Sequence, residues 1–525
     1  MISINITVPY GYCKRDVYDA VCAYVPITEN EISHLEIRRA SLDFSSGAPL
    51  YKMSVALSLS EERERGLLKM RKKVFAAESL DFSVPTVIGE RPVVVGAGPA
   101  GLFAALVLAE GGLRPIVLER GEAVDDRIKK VQTFFKCGIL DTESNVQFGE
   151  GGAGTFSDGK LKVGAIDKYK YKVLSEFAAV GAPEEIKYTV GSHLGTDKLA
   201  EIVKRLREKI IALGAEVLFG AKLTDVVVKD GAVHSVKYET KGVKCEILCT
   251  RLVLAIGHSA RDTFGMLYGI GIPMEAKGFG IGVRIEHPRE YIDTLVYGEH
   301  KQMMPMGASY HLVTHLDSGR SVYSFCMCPG GTVVAAASEE GGVVTNGMSE
   351  YARSADNSNA AFLVSVTPDD FPDGTALGGF ALQRSIEKAA YLAGGGDYRA
   401  PTTEMAAFMK GSGELSSGVK PSYPRGVRAG GVEDCLPEFI TDSLRSAIKD
   451  FDDYMPGFYY PDAVLTAAET RTTSPVRILR GEDMSALGVR GLYPIGEGAG
   501  YAGGIVSSAT DGVRCAEKII LSLYK

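Results

Sequence analysis

Paired cysteines, basic runs and long apolar runs are all missing from this chain of 525 residues. No C-x-x-C pair occurs, which excludes a zinc ribbon, and no metal site is expected. The nine cysteines, at positions 13, 22, 137, 245, 249, 326, 328, 435 and 515, are an odd and scattered set, unlike a disulfide framework and suited to a reducing cytoplasm. There is no run of five or more Lys or Arg, and 58 basic against 65 acidic side chains leave a net charge of −7, so duplex nucleic acid meets no electrostatic footprint. Apolar stretches such as 102–109 fall short of the ~18–20 residues needed to cross a bilayer. Residues 1–12 lack the basic and apolar regions of a secretory signal, so export is not expected. No internal repeat is visible.

Glycine is in excess, at 61 of 525 residues. Without a G-x-y period, that abundance predicts tight turns and close approaches of backbone to a ligand. The length allows three or four domains at roughly 100–200 residues each. Residues 1–89 read as a small α+β domain: Ile2, Ile4, Ile6 and Val8 alternate with polar residues, 16–24 has helical spacing, and Met53, Val55, Leu57 and Leu59 alternate again. The charged stretch 61–73 predicts a solvated helix before a linker. From Arg91 the pattern becomes strand (92–95), tight turn (96–101), helix (102–109) and strand (115–118), one βαβ unit. A helix over 199–213 and strands at 216–219, 225–229, 233–238 and 251–256 complete a first part assigned to 90–272. Residues 273–455 carry strands and Gly-rich turns but no second βαβ signature, and read as an inserted β-rich, substrate-side domain. A strand at 491–495 and a helix from 505 return the chain to the first domain over 456–525. The fold class is α/β, with a mostly parallel sheet in a three-layer domain.

The strongest motif is Gly96-x-Gly98-x-x-Gly101, with Pro99 and Ala100 inside it, because it follows a strand and opens a helix. Gly96 makes the turn, Gly98 admits a pyrophosphate and Gly101 lets helix and strand pack closely. Glu119, ending the next strand, can accept from ribose hydroxyls, and Arg120 follows it at the same edge. A carboxylate there disfavours a 2′-phosphate. The segment 492–505 is a strand ending in a Gly/acid turn, Gly496-Glu497, that runs through Gly503 and Gly504 into a helix at Ile505. It resembles the second flavin motif of the glutathione-reductase-like FAD fold, which implies that Glu497 binds a ribityl hydroxyl and that amides at Gly504 and Ile505 face the negative edge of reduced flavin. Ala255, Ile256 and Gly257, ending the strand 251–256, resemble the middle strand-turn of that fold, with backbone around Leu223 meeting the adenine. A further Gly-rich stretch, 146–161, offers open amides at Gly152 and donors at Thr155, Ser157 and Lys160 to phosphate or to the flavin N5 region.

These motifs, together with GVRIEHP at 282–288, YSFCMCPGG at 323–331, EEGGVVTNGMS at 339–349 and ETRTTSPVR at 469–477, resemble the bacterial FAD-dependent dehydrogenase (NAD(FAD)-utilising dehydrogenase) family over nearly the whole chain. The resemblance implies bound FAD, redox chemistry and a small-molecule substrate, without naming that substrate. NADH or NADPH is a candidate electron donor. Only one dinucleotide fingerprint exists, so a nicotinamide must bind without its own Rossmann domain.

Side chains that could do more than hold a cofactor are few. Arg471 and Arg477 flank Ser474 and Pro475 and could grip an anionic substrate, or cap loop carbonyls. Lys160 could approach N5. His287, before Pro288, is a proton donor or a hydrogen-bonded structural residue. Cys326 and Cys328 share one face if their segment is a strand, and could relay electrons. No Lys or Arg lies between Val322 and Ala352, so a thiolate needs a cation from elsewhere, and the pair is read as pocket lining and not as an obligatory redox couple. Two alternatives stand beside the oxidoreductase: a flavin-dependent RNA-modifying enzyme, which needs a basic groove, and a non-catalytic flavin-binding or redox-sensing protein, which needs no pocket over the flavin.

Overall fold

Alternation decides the first sheet: Ile2, Ile4, Ile6 and Val8 are buried along the strand Ile2–Pro9, and their neighbours are not. The computed structural model describes residues 1–44, 48–70, 74–161, 164–304, 307–411, 415 and 418–524. The chain divides into two units, Met1–Ser83 with Leu161–His193, and Val84–Lys160 with Leu194–Lys525.

In the first unit an antiparallel sheet runs His34–Asp43, Leu50–Ser58, Ile2–Pro9, Val74–Ala76, and Val17 and Val21 of the helix Lys14–Tyr24 pack on it. The charged stretch forms the helix Glu61–Leu68, and residues 71–73 of that expectation lie outside the described residues. Residues 161–193 are placed differently from the sequence reading, which put them in the first part of the dinucleotide domain. The reason is non-local pairing. Ala40 donates to the Tyr188 carbonyl at 2.8 Å, Val190 donates to the Ala40 carbonyl at 2.9 Å, and the Tyr188 ring joins the first unit's core.

The second unit carries two main sheets. One is five-stranded and parallel, in the order Leu492–Pro494, Leu252–Leu254, Val93–Val95, Ile116–Glu119, Glu216–Phe219. Its central strands are continuous apolar runs because both faces are covered. Val93, Val95, Leu252 and Leu254 pack with Val226 and Val236 of an antiparallel three-stranded layer formed by Ala221–Lys229, Ala232–Thr240 and Val243–Leu248. The helices Pro99–Glu110 and Ile505–Leu523 run side by side, so tightly that a Cβ on Gly512 would lie 2.2 Å from the Ala100 carbonyl oxygen.

The other sheet has seven strands, in the order Val313–His315, Ser321–Cys328, Asn357–Val366, Phe279–Pro288, Val464–Glu469, Ala400–Glu404, Val427–Ala429. Phe362 and Val364 pack with Leu444, Ile448 and Phe451 of the helix Glu438–Tyr454. The strand Val464–Glu469 pairs with Phe279–Pro288, so this layer reaches beyond residue 455, where the sequence reading ended the inserted segment.

Candidate functional site

Glycines bring the separated motifs together. A Cβ on Gly96 would lie 2.3 Å from the Ala255 carbonyl oxygen, one on Gly498 would lie 2.5 Å from that of Gly257, and one on Gly496 would lie 2.7 Å from Ala100 Cβ. Ala255, Ile256 and Gly257 thus follow the strand Leu252–Leu254 into the same corner as Gly96–Gly101 and Gly496–Gly504. A Cβ on Gly152 would approach Gly98 Cα at 3.2 Å, and one on Gly154 would approach Ile505 Cγ1 at 3.1 Å, so the Gly-rich loop joins this corner too. Around Gly257, Gly503 and Gly504 a Cβ would meet nothing within 4 Å. Two helices start here, at Pro99 and Ile505, and the amides of their first turns have no intrahelical acceptors, a setting suited to an anion. The residues present therefore fit a bound dinucleotide.

The loop 146–160 is held by a residue that sequence reading missed. Arg127, in the helix Val124–Cys137, is completely buried, and donates to the carbonyls of Asn145 (2.8 Å), Val146 (2.9 Å), Gly149 (3.3 Å) and Glu150 (2.6 Å). Burial pulls its guanidinium down to about 10, yet it remains charged at neutral pH. Gly149 is needed because a Cβ there would sit 2.4 Å from Arg127 Cδ. Replacing Arg127 by Leu removes all four bonds and leaves the Gly149 and Glu150 carbonyls only the Gly152 amide and the Thr155 hydroxyl, and a loss of about 3 kcal/mol is expected. A urea midpoint equal to wild type would refute the staple.

Several expected cofactor contacts are corrected by this geometry. Thr155 Oγ1 donates to the Glu150 carbonyl at 3.3 Å and Ser157 Oγ to the Gly154 carbonyl at 2.6 Å, so both hydroxyls brace the loop rather than offer donors to phosphate. Arg120 makes a bidentate pair with Asp262 at 2.9 Å, also reaches Glu143, and lies over the Phe148 ring, so its donors are committed to protein carboxylates. Leu223 pairs with Tyr238 at the edge of the three-stranded layer with its side chain in the core, leaving only main chain for an adenine. Lys160 is tied to Asp158 at 2.6 Å, and Arg353 grips the same carboxylate at 2.6 and 2.9 Å.

Two carboxylates have distinct surroundings. Glu119 is buried and accepts from the amides of Ala97 (2.7 Å), Gly121 (2.9 Å) and Gly149 (2.9 Å), which fill three of its roughly four acceptor positions. It knots the turn, the strand end and the loop, and keeps about one acceptor for a hydroxyl. Glu497 is pushed up to about 7 by burial, against the Gly504 amide and the charge of Lys277. Between the ordinary 4.5 and about 7 the folded chain therefore holds a proton that the unfolded chain releases, so this contribution to stability is full below 4.5 and is lost as pH rises through 7. In cofactor-stripped protein the melting temperature of wild type, relative to Glu497→Gln, should fall across that window. A constant difference between the two from pH 4 to 8 would remove the assignment.

The arginines divide. Arg471 is buried and bidentate to Glu387 (2.9 and 2.8 Å), and also bonds Ser338, so the expected grip on an anionic substrate is corrected to an internal clamp. Arg261 grips Glu387 from the other side at 2.7 and 3.0 Å and adds Glu339 and Gln383. His258 beside them is held down to about 3 by burial and these two cations, so it stays neutral. Arg477 pairs with Glu275 at 3.0 Å and lies over the Tyr501 ring. His287 is buried, with Nε2 donating to the Phe458 carbonyl at 3.0 Å, a structural role. Cys326 is partly exposed and Cys328 is buried; the first lies within the electrostatic reach of both Lys160 and Glu497.

Residues 278–472 match the family described as FAD-dependent protein, C-terminal domain-like, and residues 91–135 match the FAD binding domain. An "Uncharacterized protein" of Clostridium beijerinckii is 46% identical over 509 residues, 95% of each chain. A thiamine thiazole synthase of Archaeoglobus fulgidus is 29% identical over 174 residues, 33% of this chain and 52% of its own. A flavoprotein/dehydrogenase of Cytophaga hutchinsonii overlays with a TM-score of 0.38 at 11% identity, over 83% of this chain and 79% of its own.

Proposed function

The chain belongs to the bacterial FAD-dependent dehydrogenase family, and from that membership we propose a flavin-dependent oxidoreductase acting on a small molecule by hydride transfer at flavin N5. FAD, when bound, supplies the two-electron chemistry; the protein binds and orients. The observation that carries this reading is the convergence of Gly98, Gly152, Gly257 and Gly504 from four separated stretches on the starts of two helices. The helix start at Pro99 takes the pyrophosphate, Glu119 keeps an acceptor for the adenosine ribose, and Glu497 takes the ribityl chain. The Gly504 amide bonds the Glu497 carboxylate, which leaves the Ile505 amide as the one that would face the edge where negative charge collects on reduction. The seven-stranded sheet supplies the substrate side through Cys326, opposite Lys160.

NADH or NADPH is the electron donor in this reading, bound without a second Rossmann fingerprint. The net charge of −7 speaks against RNA as substrate. Among the described residues no helix is long and apolar enough to cross a membrane, and all nine cysteines are free, which supports a reducing cytoplasm. The test is direct. Denatured protein should release FAD identified by mass, and anaerobic NADH or NADPH should bleach the flavin band of the native protein. Release of FMN, or a colourless protein that cannot be reconstituted, overturns the reading.

A further inference from the structure

In a regular strand, residues two apart share a face about 6.6 Å from each other, at the upper limit for a disulfide. The strand Ser321–Cys328 departs from that geometry. Its register moves from Phe325 opposite Ala361 to Cys328 opposite Asn359, and at this bulge Cys326 has φ +42°, in the left-handed region that a side chain rarely occupies. The turn brings the two thiols side by side, and the single Cys328 proton is shared between Cys326 Sγ and the Cys326 carbonyl, the latter at 3.4 Å. Arg284, fully buried, donates to that carbonyl at 3.0 Å and is paired with Glu469.

The charges facing Cys326 come from every side: Lys160 and Asp158 from the Gly-rich loop, Arg284 and Glu469 from the strands Phe279–Pro288 and Val464–Glu469 of the same sheet, and Glu497 from the C-terminal turn. The bond from Cys328, with Lys160 and Arg284, draws the Cys326 thiol down to about 5, while the same bond and burial push Cys328 up. The cations missing from the local sequence are thus supplied by residues 160 and 284. One thiolate beside one thiol is the state required for attack and resolution.

We propose that Cys326 and Cys328 are a redox-active dithiol that reduces disulfide substrates, with Cys326 attacking and Cys328 resolving; this deepens the oxidoreductase reading and rests on it for the reducing equivalents. The Cys326 thiolate attacks one sulfur of the substrate, the substrate S–S bond breaks, and the departing thiolate takes a proton from water. Cys328 then attacks Cys326 Sγ, its proton passing to the second departing sulfur as the Cys326–Cys328 bond forms. The substrate gains two electrons and two protons, one of them from Cys328. Two electrons and one proton, a hydride equivalent that reduced flavin would supply when bound, would return the pair to thiolate and thiol.

The test uses the full-length holoprotein and oxidised glutathione, with peptides read by mass spectrometry. Wild type should yield a Cys326–Cys328 peptide lighter by two hydrogens. Cys328→Ser should accumulate one glutathionyl group on Cys326, and Cys326→Ser should take none on Cys328. No internal disulfide in wild type, or an adduct on Cys328 instead, overturns the proposal. Anaerobic dithionite titration of the oxidised holoprotein should require four electrons, falling to two in Cys326→Ser; uptake of two by a wild type with a verified disulfide overturns the coupling. Flavin content separates the two readings: yellow protein without the disulfide defeats only this proposal, and disulfide formation in protein that cannot hold flavin defeats the oxidoreductase.

Discussion

Purified Gly98→Val protein is expected to be folded and colourless. Gly98 has an ordinary φ of −78°, and a Cβ built on it meets nothing closer than Gly152 Cα at 3.7 Å, so the chain itself tolerates a side chain there. What the side chain removes is the space in front of the helix start at Pro99, where the pyrophosphate must approach the amides. Gly101 gives the contrast: a Cβ there would lie 1.9 Å from the Gly96 carbonyl oxygen, so Gly101→Ala should disturb folding itself. The measurement is the ratio of flavin to protein absorbance, with the melting temperature as control. A yellow Gly98→Val protein of normal stability would show that the turn does not hold the cofactor.

Glu387→Ala should be close to unfolding. This carboxylate is buried in the helix Gly378–Ala393, accepts from both Arg261 and Arg471, and takes a further bond from Thr470 at 2.8 Å. Burial alone would raise its pKa, yet the two guanidiniums hold it well below the usual carboxylate range. Removing it leaves two buried cations facing each other, and breaking one buried pair already costs about 3–5 kcal/mol. A loss of at least about 5 kcal/mol is therefore expected, read as a collapse of the urea midpoint. Glu387→Gln, which keeps the shape and some acceptors, should lose less. A variant Glu387→Ala within about 1 kcal/mol of wild type would mean that water or a rearrangement satisfies these arginines.

Sequence made the framework of the dinucleotide domain readable where the signal was local. The strand Val93–Val95, the turn at Gly96 and the strand Ile116–Glu119 lie where spacing and glycines put them, the helix Pro99–Glu110 starts three residues before the expected 102, and the helix Ile505–Leu523 begins at the predicted residue. What could not be read was side-chain commitment. Thr155, Ser157, Arg120 and Arg471 have the chemistry of ligand-binding groups, but their partners are Glu150, Gly154, Asp262 and Glu387, and nothing in the order of residues reveals who faces whom. Arg127 was invisible for the opposite reason: an arginine in an amphipathic helix looks solvated until its four carbonyl partners fold around it. The segment 161–193 left its expected domain because its pairing with Ala40 spans some 150 residues (188 − 40 = 148).

The packing of Gly512 against Ala100 bears on how the protein is made. The helix Pro99–Glu110 is buried on nearly every side, yet its covering helix lies 412 residues further along (512 − 100), and the strand Leu492–Pro494 lies 240 residues beyond its partner Leu252–Leu254 (492 − 252). At roughly 5–20 residues per second, a ribosome leaves that apolar helix without its cover for roughly 20–80 seconds. The cradle is incomplete during that interval, so flavin loading follows translation, and the nascent chain presents sticky surface to chaperones while it waits. Ribosome-arrested chains ending before residue 490 should be protease-sensitive and flavin-free however much FAD surrounds them.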